Sequence, residues 1–100
     1  IMKKTSQPAS PQKSKWTFLS NHGHVLLCLH GEPDLPVKDI AVRVGITERA
    51  VLRILADLET EGYVKRDRIG RRNQYTIESN KKLRHPIEAN TKIKLLLNLV

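Results

Sequence analysis

The chain has one cysteine, Cys28, so no internal disulfide can form, and nothing in cysteine usage points to an oxidising compartment. Only four residues are aromatic, which leaves a core to be built mainly from aliphatic side chains. No apolar run approaches the ~18 residues that span a membrane. No secretory leader is legible, and the expectation is a cytoplasmic protein without a membrane partner. Acidic residues are scarce: ten against eighteen Lys and Arg, a formal charge of +8. That excess suits a polyanionic partner. With 100 residues, one domain with a modest core is the expectation.

The positive charge is uneven. Residues 37–61 carry four basic and five acidic side chains, whereas residues 65–72 carry five basic and one acidic. The first fifteen residues, IMKKTSQPASPQKSK, hold four lysines and no acid. They are too poor in apolar groups to offset the entropy of ordering, so 1–15 reads as a disordered basic tail.

The most informative stretch is VKDIAVRVGITERAVLRILADLETEG, residues 37–62. Ile40, Ala41 and Val44 recur at helical spacing, and Gly45 follows where a chain leaving a helix needs a left-handed residue. Ile46 fills the corner. Thr47 can cap a second helix, 47–61, that buries Val51, Ile54, Leu55 and Leu58. Small Ala41, then Gly45 four residues later and Val51 six beyond it, set the frame of a helix-turn-helix, whose second helix lies in a DNA major groove.

Upstream, Ser20 or Asn21 caps a helix running to about His30, apolar on nearly all sides and therefore central. Gly31, Pro33 and Pro36 end it and connect onward, with Val37 a candidate for a minimal strand. Downstream the period switches from helical to alternating. Residues 63–66 and 73–77 read as strands of a hairpin, with Asp67, Arg68, Ile69, Gly70, Arg71 and Arg72 between them. Residues 81–100 read as a connector and a last helix opening at Pro86. Its face of Ala89, Ile93, Leu96, Leu97 and Val100 would need covering by the domain or by a second chain.

GITERAVLRILADLETEGYVKRDRIGRRNQYTI resembles the core of winged helix-turn-helix transcriptional regulators, MarR-like within the ArsR-like superfamily. The resemblance covers about residues 16–77 and is carried by the GITERAV turn and the GRRNQY wing. The segment WTFLSNH, residues 16–22, and Arg84-His85-Pro86 are similar to a bacterial or archaeal MarR-type subgroup. It implies a mainly α fold with a small β-hairpin: a three-helix core, a wing and a C-terminal helix, with 16–80 as the DNA-binding domain. It also implies a homodimer on a palindromic operator, nucleoid-associated when bound.

On that reading Glu48, Arg49, Leu52 and Arg53 face the major groove. Arginines would pair with guanine; Glu48 would accept from cytosine or simply favour the helix N-terminus; Leu52 would touch a thymine methyl or be partly core. Arg68, Arg71, Arg72 and Asn73, in the basic wing 65–77, meet the backbone or minor groove. Lys38 and Thr47 sit near flanking phosphates. Trp16, Phe18, Ile93, Leu96, Leu97 and Val100 are the candidate dimer interface. The alternative is a winged-helix protein–protein module without specific DNA binding.

No nucleophile elbow, phosphate loop or supported carboxylate pair suggests an enzyme, and no cofactor is implied. His22, His24, His30 and His85 lack the Cys or acidic partners of a metal set, so no metal site is expected. The sequence specifies no small-molecule effector, operator sequence or direction of regulation.

Overall fold

The computed structural model describes residues 16–100; the basic tail expected at 1–15 lies outside the described residues. Three helices come first: α1 (Asn21–Gly31), α2 (Val37–Val44) and α3 (Glu48–Thr60). An antiparallel hairpin of β1 (Val64–Ile69) and β2 (Arg72–Ile77) follows. A 3-10 turn at Pro86–Glu88 and a short helix, α4 (Ile93–Leu97), complete it. This is the mainly α architecture with a small hairpin that the sequence predicts.

Local chemistry explains each boundary. The Ser20 side chain caps α1 by accepting from Gly23 N. Gly45 leaves α2 at φ 84° and ψ 35°, in the left-handed region, and its N–H bonds back to Ala41 O. The Thr47 hydroxyl accepts from Ala50 N at 3.0 Å and starts α3. Pairing of Ile69 with Arg72 leaves a two-residue hairpin tip, Gly70-Arg71. Gly70 has φ 63° and no non-glycine among the described residues has positive φ, the pattern of a II′ turn.

One core joins all these elements. Val25, Leu26 and Leu29 from α1 meet Ile40 and Ala41 from α2 and Val51, Ile54, Leu55 and Leu58 from α3. Tyr63, Val64 and Tyr75 close it from the hairpin. Leu27, Cys28 and Ile46 pack half-buried around it. Burial pushes the Cys28 thiol pKa up, which suits a packing residue rather than a nucleophile.

Three details depart from the sequence reading. The hairpin strands are longer than 63–66 and 73–77, so Asp67, Arg68, Ile69 and Arg72 lie in strands rather than in a loop. Val37 opens α2 and forms no strand; the hairpin is met instead by Pro33, whose carbonyl accepts from Tyr75 N at 2.9 Å. Pro36 explains this, since its fixed φ suits the residue just before a helix.

The third departure is the C-terminal segment, which is not one helix from Pro86 to Val100. Residues 84–90 make an excursion whose ends are zipped together. Leu83 N bonds Thr91 O, Ile93 N bonds Lys81 O, and Lys82 and Lys92 form an antiparallel bridge. The Tyr63 hydroxyl donates to Lys82 O at 2.7 Å and anchors the base. Asn90 and Thr91 favour such non-helical hydrogen bonding, so helix resumes only at Ile93. Ile93 and Leu97 then enter the core, 3% and 5% exposed, while Leu95 stays outside.

Leu97→Ala should therefore destabilise the chain by about 2–5 kcal/mol in urea unfolding. Leu95→Ala should stay within about 0.5 kcal/mol. Equal small effects would show that α4 contributes little to the core.

Candidate nucleic-acid interface

Burial of Val51, Ile54, Leu55 and Leu58 fixes the rotation of α3. Glu48, Arg49, Leu52, Arg53 and Ala56 are consequently exposed. They recur at spacings of three and four and form one outward stripe. Glu48 lies in the first turn, where a carboxylate complements the helix dipole. Thr47 is exposed; its oxygen is used by the cap, and its hydroxyl hydrogen remains a donor for a phosphate. Lys38 is exposed on the first turn of α2.

The wing places its cations on different faces. Strand register puts Arg68 opposite Asn73 and Arg66 opposite Tyr75, on the face that continues the core. Burial raises the Tyr75 phenol pKa, opposed by the Arg66 guanidinium beside it. Ile69 and Arg72 lie on the other face, and Arg71 occupies the tip. Arg68 Nε donates to Gly70 O at 3.3 Å, so this arginine buttresses the turn.

The arginines of the described residues divide into two groups. Arg43 pairs with Glu32 at 2.7 Å, Arg66 with Glu59 at 3.3 Å, Arg72 with Asp34 at 3.3 Å and Arg84 with Glu61 at 3.9 Å. Arg49, Arg53, Arg68 and Arg71 have no ion-pair partner among the described residues. All four lie on the α3 stripe or at the end of the wing. Arg72, grouped with them from sequence, is instead held toward the α1–α2 connection by Asp34. The Pro33–Tyr75 backbone bond brings Asp34 there, a contact across 42 residues that spacing along the chain does not announce.

Among the described residues, no cluster of three or more His, Cys, Asp or Glu could hold a metal ion. The His22 imidazole meets Asp57 at 2.8 Å and ties the start of α1 to α3. That pairing was not foreseen from the sequence. Among the described residues, no helix is long and apolar enough to cross a membrane.

Helix, glycine turn, exposed second helix and basic hairpin now stand in register, and comparison with known proteins agrees. Residues 20–65 match the family model described as winged helix-turn-helix DNA-binding. The chain has a winged helix-turn-helix fold. A search of curated proteins finds no match. Among solved structures, the fold is similar to that of the "predicted DNA-binding transcriptional regulator from E. coli", with a TM-score of 0.53 and 23% identity, covering 78% of this chain and 75% of that one. It is also similar to MepR, a transcription regulator of the Staphylococcus aureus multidrug efflux pump MepA. There the TM-score is 0.54 at 20% identity, covering 79% of this chain and 55% of MepR. At these identities the chain shares a fold with both.

If the unpaired cations meet phosphates, Arg71→Ala and Lys38→Ala should each lower the slope of log K against log salt by about 0.9 on a random duplex. Arg43→Ala, which removes a cation already neutralised by Glu32, should leave the slope unchanged. Filter binding or anisotropy between 50 mM and 200 mM salt measures all three.

Proposed function

We propose that this protein is a MarR-like transcriptional regulator that binds double-stranded DNA sequence-specifically as a homodimer. The observation that carries the reading is the position of the four arginines without acidic partners, on the outer stripe of α3 and at the end of the wing. A guanidinium left unneutralised by its own chain is available to guanine O6 and N7 or to phosphate.

In this arrangement α3 enters the major groove. Arg49 and Arg53 read guanine, and Glu48 accepts from a cytosine amino group or complements the helix start. The wing tip meets the backbone or minor groove through Arg68, Arg71 and Asn73. Arg72 contributes once phosphate competes with Asp34. Lys38 and Thr47 address flanking phosphates.

One such helix reads only a few base pairs, so specificity calls for two, reading half-sites about ten base pairs apart. Ile93 and Leu97 were expected at the dimer contact, but burial in their own core withdraws them from it. The remaining candidates are Trp16, Phe18, Leu96 and Val100, joined by exposed Leu99. Trp16 and Phe18 stack edge to face, ring centroids 5.0 Å apart, as one aromatic knob.

Selection of bound duplexes from a random pool tests DNA binding, site and symmetry together. A palindrome is expected. Arg53→Ala should relax preference at one base pair per half-site, at a cost of about 1–3 kcal/mol there. Sedimentation equilibrium should find a dimer at micromolar concentration, weakened by Phe18→Ala with Val100→Ala. Elution from heparin at very low salt, with no selected sequence, would instead favour a protein-interaction module.

A further inference from the structure

We propose that the outer face of α3 selects a C5-methylated pyrimidine beside a guanine, with Leu52 as the residue that reads the methyl group. The inference rests on the DNA-binding reading above and names the base chemistry it recognises.

Leu52 is 56% exposed and lies outside the core cluster. Ala56, one turn further on, is exposed as well. Glu48 and Arg49 lie one turn before Leu52, and Arg53 is its neighbour. The stripe thus has an apolar centre between guanidinium groups that no carboxylate of the described chain neutralises.

Docking in a groove would strip water from the entire stripe. The arginines and Glu48 can exchange that water for base edges. Leu52 can only exchange it for an apolar surface, and against a polar edge it would block hydration without forming a bond. The apolar group on base edges in the major groove is the C5-methyl of thymine. Cytosine presents hydrogen there and an amino donor beside it.

Helical spacing makes the pairing with guanine specific. Arg49 and Leu52 are three residues apart, about 4.5 Å along the axis at 1.5 Å per residue. Successive bases on a strand are about 3.4 Å apart. The two side chains therefore address neighbouring base pairs, one through hydrogen bonds and the other through methyl contact.

The test uses the duplex selected from the random pool. Each thymine is replaced in turn by deoxyuridine, which removes only the methyl, and affinity is read by fluorescence anisotropy. One position per half-site should lose about fourfold, the worth of one methyl group removed from water at about 0.8 kcal/mol. Leu52→Ala should bind more weakly overall and show no loss at that position. Its helix is secure, because Leu52 is exposed and alanine is the better helix former. In a second arm the same pair is made C·G, with cytosine or 5-methylcytosine. Wild-type recovery by 5-methylcytosine, absent in Leu52→Ala, assigns the reading to the methyl group itself. No recovery in the wild type would overturn the inference, because the methyl group would then not be what is read.

Specific binding with every deoxyuridine neutral would overturn the inference and leave the regulator reading standing. So would a deoxyuridine loss that persists in Leu52→Ala. Failure to select any sequence would overturn both readings.

Discussion

The crossing of α2 and α3 is the constraint on which the rest depends. Ala41 of α2 and Val51 of α3 are both buried in the shared core, and the chain between them must turn within a few residues. Gly45, at φ 84°, makes that turn without strain, and Thr47 immediately supplies the acceptor that starts the next helix. Once Val51, Ile54, Leu55 and Leu58 are seated, the rotation of α3 about its axis is no longer free. Which side chains leave the protein surface together, and in what order, is decided by packing on the opposite side of the same helix.

Charge follows from the same geometry. An arginine near a carboxylate of its own chain presents little net field to a polyanion, whereas one without such a neighbour presents a full charge. Exposed ion pairs like Arg43–Glu32 contribute little to stability, typically below about 1 kcal/mol. They offset the charge of Arg43, Arg66, Arg72 and Arg84 and leave that of Arg49, Arg53, Arg68 and Arg71 uncompensated among the described residues. A net charge of +8 is therefore less telling than the location of the uncompensated part.

Much of this was legible in the sequence because it is local. A left-handed glycine, a capping threonine and apolar residues at three- and four-residue spacing each act within a turn or two, and α1 to α3 form within a residue or so of the expected bounds. The outward residues of α3 follow by subtraction from its buried ones. What the sequence concealed depends on contacts distant along the chain. The capture of Arg72 by Asp34 requires the α1–α2 connection to lie along β2. The interruption of the C-terminal helix requires Lys81, Lys82 and Leu83 to claim the backbone groups of Thr91, Lys92 and Ile93. Read as a wheel, residues 86–100 show a continuous apolar face; the fold spends Ile93 and Leu97 of it on its own core and leaves Val100 outside.

The two-residue tip of the hairpin restricts how such a wing can change length. With Ile69 paired to Arg72 and Gly70-Arg71 between them, growth must add residues to both strands at once. One residue per strand advances the tip by about 3.4 Å but exchanges the faces of every side chain beyond the insertion. Arg68 and Asn73 would then trade sides with Ile69 and Arg72. Two per strand restores the faces and advances the tip by about 6.8 Å, two steps along a nucleic-acid strand. Reach and chemistry are therefore coupled, and a wing that keeps its arginines facing the same way can lengthen only in increments of two base steps.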